Sequence, residues 1–233
     1  FARIIQVGAI RWGAVLGHTA DIADLVGHLG TFQPTFVLAV PRVFEKVFNT
    51  ASTKAYAEGK GKIFDAAVRT AIAYSRATED GKPSLALRSK HAVYNKLVYG
   101  KLRAALGGKA EYAISGGAPL GDRLGHFYRG IGFNVLEGYG LTETTAALTA
   151  NTVAQQRIGT VGVPFPGVEV RVADDGELQF RGPQVFQGYW NFEAATADVL
   201  DADGWFSTGD LGEITEDGFV KITGRKKEII VTA

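Results

Sequence analysis

The sequence predicts an α/β unit, with mainly parallel strands and flanking helices, followed by a compact and largely antiparallel β unit. The first half of that expectation rests on two stretches in which a short apolar run breaks at glycines and passes into a helix-like pattern. One is Glu111-Tyr-Ala-Ile-Ser115 followed by Gly116-Gly117-Ala118-Pro119, and the other is Val135-Leu136 followed by Gly138-Tyr139-Gly140. Parallel strands joined by a right-handed crossover bring two such loops to one sheet edge, where the ligands of open α/β sheets collect. The second half rests on a change of texture after Thr144. Short runs then alternate, Val168-Glu-Val-Arg-Val172, Gly176-Glu-Leu-Gln-Phe180 and Gly218-Phe-Val-Lys-Ile222, with Asp174-Asp-Gly and Glu216-Asp-Gly as hairpin turns. Gly162-Val-Pro-Phe-Pro-Gly167 is a turn-rich connector, and a boundary near residue 155 follows, with units at 1–155 and 156–233.

In chain order, Asp21 is placed to cap a short helix over Ile22, Leu25, Val26 and Leu29. Thr35-Phe-Val-Leu-Ala-Val40 is a continuous apolar run, as in a strand buried on both faces, and Pro41 suits the first position of a helix through Phe44, Val47 and Phe48. Residues 52–106 carry mostly helical periodicity, broken near Gly59-Lys-Gly61 and Asp80-Gly-Lys-Pro83. Between Gly81 and Ala110 there is no acidic residue, while Lys82, Arg88, Lys90, Lys96, Lys101, Arg103 and Lys109 are basic. Val93, Leu97, Val98, Leu102 and Leu106 recur at helical spacing there, so one side packs inward while the cations reach outward. Such a helix over 85–106 is either an ordinary solvated face or a peripheral contact with anionic membrane lipid or the phosphates of CoA.

Composition narrows the function classes. The 233 residues carry a net charge of +1, which gives no global field for nucleic acid, and the absence of cysteine excludes disulfides, thiolate metal sites and cysteine nucleophiles. His18, His28, His91 and His126 lack metal-ligand spacing, and Ser115 lacks the flanking glycines of a nucleophile elbow. Trp190, in Gly188-Tyr-Trp-Asn, reads as a core residue. There is no signal peptide and no apolar run near the length of a membrane span, so a cytoplasmic location with at most peripheral membrane contact is expected. The chain opens inside an apolar run without methionine, the pattern of an internal piece.

The chemistry concentrates in 134–144. Glycines let the backbone turn and approach a ligand, the Tyr139 ring offers a flat face for a purine, and Thr142, Glu143 and Thr144 supply hard oxygens for a phosphate-bound Mg2+. The same residues also suit a plain helix start, with a threonine cap and Glu143 in the first turn. Further on, Asp210 in Thr208-Gly-Asp-Leu can accept from two vicinal hydroxyls, as carboxylates that hold a ribose do, and Arg225 in Gly224-Arg-Lys-Lys-Glu can donate to the same sugar or to a phosphate. Taken singly, Asp210 also suits a turn and Arg225 a surface.

Ser115-Gly-Gly-Ala-Pro-Leu120, Gly138-Tyr-Gly-Leu-Thr-Glu143, Ser207-Thr-Gly-Asp-Leu211 and Gly224-Arg225 together resemble the adenylate-forming acyl-CoA synthetases, in that family's order. Val40-Pro41-Arg42-Val43-Phe44 and the helical stretch after it are most similar to the branch that acts on long-chain fatty acids. The resemblance implies that the β unit is a distorted barrel, that Gly117, Ala118 and Pro119 form one wall of an adenine site, and that Tyr139 stacks on the purine. It further implies Glu137 near the exocyclic amine, Thr142 on phosphate, Glu143 on Mg2+, and Asp210 with Arg225 on the ribose. Lys227 falls at the family's hinge to a C-terminal domain.

The implied reaction uses ATP, Mg2+ and CoA. A fatty-acid carboxylate attacks the α-phosphorus to release pyrophosphate, and the CoA thiol then displaces AMP. The family's Ser/Thr/Gly-rich phosphate loop and C-terminal lysine have no counterpart here, so the isolated piece is expected to be inactive or nearly so. Two other readings are adenylation of an aryl, short-chain or amino acid, and a non-catalytic nucleotide-binding or membrane-docking module.

Overall fold

A computed structural model describes residues 2–21 and 23–226. By internal contacts it divides into residues 2–136 and residues from 137 onward, the division falling inside one strand.

The first unit begins with α1 (Ala2–Trp12) and α2 (Leu25–Phe32), the latter ended by Gln33 in the left-handed region at φ 51°. Asp21 does not cap α2; its Oδ1 accepts the Ala23 N–H at 2.7 Å, which stabilises the turn ahead of the helix. Strand β1 (Phe36–Ala39) leads through Val40 into α3 (Pro41–Ala57), with proline at the first position as its fixed φ and missing N–H favour. Only Val37 of β1 is fully buried, so the strand is less enclosed than its unbroken apolar run suggests.

After a turn at Gly59 (φ 72°), α4 (Gly61–Glu79) runs to the predicted break at 80–83. Ser84 then caps α5 (Leu85–Tyr94), its Oγ accepting the Leu87 N–H. A π-helical turn at Asn95–Tyr99 connects α5 to α6 (Gly100–Ala105). One extra residue in the turn re-phases the helix, and Tyr99 is fully buried there, its hydroxyl donating to Ala67 O at 2.7 Å. Strand β2 (Tyr112–Ser115) pairs parallel with β1 from Phe36↔Tyr112 to Ala39↔Ser115, so the helices from α3 to α6 form the crossover between them. Gly121 (φ 82°) starts α7 (Asp122–Gly130), which leads to β3 (Asn134–Tyr139).

The core of this unit is aromatic. Phe44 meets Tyr128 edge-on at 5.6 Å, Phe48 meets Phe127 at 4.9 Å, and the Tyr128 hydroxyl is satisfied by Phe44 O at 2.7 Å. Helices α4 and α7 approach backbone to backbone: a Cβ on Gly130 would stand 2.1 Å from Ala71 O, so only glycine permits this contact.

In the second unit the end of β3 pairs antiparallel with β4 (Thr149–Ala150), which pairs with β5 (Val163–Pro164). Strands β6 (Glu169–Val172), β7 (Glu177–Arg181), β8 (Phe206–Ile214) and β9 (Val220–Arg225) form an antiparallel sheet in that order. The predicted hairpin glycines, Gly176 and Gly218, both adopt φ 84°. Register shifts at Glu177/Gln179 and at Leu211/Gly212 add twist and curl the sheet into a half-barrel. Leu148, Val168, Leu178, Phe180 and Val220 fill it. Helix α8 (Glu193–Val199) lies in the β7–β8 connection. Trp190 is 91% exposed and is not core: Asn191 turns there at φ 51°, and the neighbouring Tyr189 is the aromatic that packs, edge-on to Phe186 at 4.8 Å.

Candidate functional site

The residues of the second unit that carry chemistry meet around a cleft of about 850 Å3 lined in part by Leu141, Glu143, Glu177, Tyr189, Phe206 and Asp210. Its construction begins where β3 ends. A Cβ on Gly140 would lie 1.5 Å from Ala146 O, so the chain folds back on itself there only because position 140 has no side chain. The next residues form a single 3₁₀ turn, Thr142–Thr144. Thr144 is fully buried and serves that turn, its Oγ1 accepting the Leu141 N–H at 2.9 Å. Thr142 is exposed, so of the two candidate hydroxyls it is the one free to face a ligand. Thr145 (φ 50°) and Ala146 (φ 85°) then occupy the left-handed region in succession, a strained conformation held by the surrounding contacts.

Glu143 is fixed from the segment after β7. Its backbone carbonyl accepts the Phe186 N–H at 2.7 Å, and its Oε1 accepts the Tyr189 hydroxyl at 2.9 Å. Partial burial, and then the bond to Glu143, raise the Tyr189 phenol above its ordinary value, so it stays a donor. Tyr189 is anchored in turn by its own N–H on Thr196 Oγ1 at 2.9 Å.

Asp210 is 3% exposed and has a partner on each oxygen. Tyr139 donates its hydroxyl to Oδ2 at 2.6 Å, and Arg225 donates Nε to Oδ1 at 3.0 Å. Asp210 and Arg225 are cross-strand partners on β8 and β9, which is what brings residues of two separate motifs together. The arginine side chain is 66% exposed and keeps donors for a further acceptor. Tyr139 reaches the cleft through Asp210, and its ring packs against Phe180 at 5.8 Å. Burial first, and the Asp210 carboxylate second, push its phenol far above the ordinary range.

Glu137, on the same strand, is buried, and its backbone carbonyl accepts the Asn151 N–H at 2.8 Å. Gly117 (φ 85°), Ala118 and Pro119 lie on the exposed loop between β2 and α7 in the first unit. At the head of that loop the buried Ser115 Oγ has no hydrogen-bond partner among the described residues. Lys227 lies outside the described residues. Sequence reasoning missed Glu177 and Lys226, although Glu177 announces itself as a charge beside Leu178 at the start of a strand whose neighbours are buried.

The donor set suits a hydroxylated, metal-complexed ligand. Among the described residues no group of three or more His, Cys, Asp and Glu could hold a metal alone. Glu143 with the Thr142 hydroxyl matches the habit of Mg2+, which takes one or two protein oxygens and completes its shell with phosphate and water. The cleft wall carries Glu143, Asp174, Asp175, Glu177, Asp198 and Asp210 against Arg225 and Lys226, so a bare polyphosphate would meet an excess of negative charge.

Residues 2–190 match the family model described as AMP-binding enzyme. The chain is 56% identical over 232 residues to the long-chain-fatty-acid–CoA ligase FadD15 of Mycobacterium bovis, covering 100% of this chain and 38% of that protein. It is 32% identical over 254 residues to long chain acyl-CoA synthetase 7, peroxisomal, of Arabidopsis thaliana, covering 100% of this chain and 35% of the relative. Among solved structures it resembles ATP-bound MatB from Rhodopseudomonas palustris with a TM-score of 0.62 and 26% identity, over 93% of this chain and 35% of that one. The chain thus spans between a third and two fifths of the length of these proteins.

Proposed function

We propose, on the premise that this chain belongs to the AMP-binding enzyme family, that it forms the ribose-facing and metal-facing part of a ligase that activates a long-chain fatty acid with ATP and passes the acyl group to CoA. The observation that carries the reading is Asp210, a buried carboxylate on a cleft wall with one oxygen held by Tyr139 and the other by an exposed arginine. Each carboxylate oxygen retains a lone pair, so the two can accept from the two hydroxyls of one ribose while Arg225 spans to the sugar or the α-phosphate.

In this reading Glu143 holds Mg2+ and Thr142 meets a phosphate. Gly117, Ala118 and Pro119 border the adenine, and Glu137 serves its exocyclic amine. The Tyr139 ring serves the base and its hydroxyl holds Asp210. A bound Mg2+ would be held by Glu143 and would supply charge neutralisation at the phosphates; the reaction itself is attack of the fatty-acid carboxylate on the α-phosphorus with pyrophosphate leaving. CoA enters in the second step, its thiol sulfur attacking the acyl carbon while AMP departs and the thiol proton is lost to solvent or a base. The chain's own contribution is to fix the sugar and to hold a donor-stabilised carboxylate at the metal. Similarity to fatty-acid ligases supports the acyl substrate.

Calorimetric titration with AMP and a non-hydrolysable acyl-adenylate mimic tests this. Binding that survives in the parent chain and is lost in Asp210→Ala is the expected result. Equal affinity in both chains would overturn the ribose assignment.

A second reading concerns the basic helix. Leu85, Val93 and Leu97 are 77%, 56% and 55% exposed, with Lys90, Lys96 and Lys101 exposed beside them. An apolar stripe flanked by cations suits peripheral contact with an anionic lipid surface. Arg103 takes no part, since its guanidinium bonds Ile131 O and Asn95 Oδ1. No helix among the described residues is long and apolar enough to cross a membrane.

A further inference from the structure

We infer that Glu177 is a positioning residue for the nucleotide site, holding the bulge of β8 that aims Asp210; this rests on the ribose assignment above. Between β7 and β8 the register runs Glu177↔Leu211 and then Gln179↔Ser207, so two steps along β7 oppose four along β8. Thr208, Gly209 and Asp210 on β8 thus stand opposite Leu178 alone on β7, a surplus of two residues. A bulge of this kind re-aims a side chain and leaves backbone groups without ladder partners.

The structure supplies those partners from side chains. Thr208 Oγ1 donates to Leu178 O at 2.8 Å and accepts the Asp210 N–H at 3.1 Å. The Gly209 N–H donates to Glu177 Oε1 at 2.6 Å. Glu177 Oε2 accepts Lys226 Nζ at 2.8 Å, and the Lys226 N–H returns to Gly209 O at 2.8 Å.

Glu177, 6% exposed, therefore binds the residue before Asp210 with one oxygen and the residue after Arg225 with the other. The Asp210–Arg225 pair is held between these two ties. A carboxylate suits the task because both bonds are charge-assisted and short. Asp175 shares Lys226 at 2.5 Å and draws the same ammonium toward the β6–β7 turn. One Glu177 oxygen is engaged by Gly209 and the other by Lys226, which ties the residue to the two segments that carry Asp210 and Arg225.

The test is discrimination between AMP and 2′,3′-dideoxy-AMP, measured by calorimetry for the parent chain and for Glu177→Ala, Glu177→Gln, Lys226→Ala and Asp210→Ala. The parent is expected to prefer AMP, and Asp210→Ala to erase that preference. Glu177→Ala is expected to cut it about tenfold, the worth of one charge-assisted bond. Lys226→Ala and Glu177→Gln, which each disturb one tie, should fall between. A purely structural role would weaken both nucleotides alike and leave the ratio standing, which would overturn the inference. If Asp210→Ala also leaves the ratio unchanged, the ribose assignment itself fails. Should Glu177→Ala not fold, Glu177→Gln and Lys226→Ala decide, since the Lys226 side chain is 44% exposed.

Discussion

The Tyr139 hydroxyl donates to Asp210 Oδ2 at 2.6 Å across 71 residues of sequence. Two residues read separately as a purine face and a ribose holder form one unit, in which the phenol orients the carboxylate. Tyr139→Phe keeps the ring against Phe180 and deletes that donor. It is expected to lower stability by about 1.5–3 kcal/mol, the net worth of a hydrogen bond to a charged acceptor. Urea denaturation checks this, with the midpoint falling at constant slope; an unchanged midpoint would mean the bond contributes nothing.

Gly140→Ala is expected to be far more damaging than its size suggests. The added Cβ would meet Ala146 O at 1.5 Å and its carbonyl carbon at 2.5 Å, and these are backbone atoms that yield only if the loop moves. A loss of about 3 kcal/mol is expected from such overpacking. Thermal melting of the variant measures it, and an unchanged midpoint would refute it.

His126 predicts a pH dependence in the first unit. It lies on α7 facing α4, with Nδ1 at 3.1 Å from Ser75 Oγ, Arg129 bonded to the same oxygen, and Glu79 Oε2 3.8 Å from Nε2. Burial holds its pKa below the ordinary value; Glu79 and Asp122 oppose this, and Arg129 and Arg76 add to it. The folded state thus favours the neutral ring, while the unfolded chain takes a proton near pH 6.5. Stability from this group is complete above that pH and is lost as pH falls through the lower folded value. His126→Gln should flatten the profile between pH 7 and 5, and an unaltered slope would refute the assignment.

The basic helix makes a prediction at a surface. Replacing Lys90, Lys96 and Lys101 together by glutamate should weaken co-sedimentation with phosphatidylglycerol vesicles by well over tenfold, at about 1 kcal/mol per cation removed from the interface. Neutral phosphatidylcholine vesicles serve as the control. Equal binding of both chains to anionic vesicles would remove the membrane reading. Arg103→Glu should instead destabilise the fold, because the guanidinium is bonded to Ile131 O and Asn95.

Much of the architecture was legible because its signals are local. Pro41 opens a helix, Gly176 and Gly218 turn hairpins, and glycines at 59–61 and 80–83 mark breaks, since each states a backbone demand that few other residues meet. Glu143, Asp210 and Arg225, singled out by residue type and motif order, are brought to the lining of one cleft. Asp21 and Trp190 were misread, one serving a turn and the other facing solvent, because neither capping nor burial follows from a residue's type alone.

By itself, then, the sequence determined the order of the elements, the positions of the turns and the identity of the chemically able side chains. Only the tertiary structure decided that Tyr139 holds Asp210, that Tyr189 holds Glu143 and that Glu177 bridges Gly209 and Lys226. Those partners lie 32 to 71 residues apart. Helix periodicity and turn preference reach only a few residues along a chain, whereas strand register and a bulge set which distant polar atoms end up within 3 Å of one another.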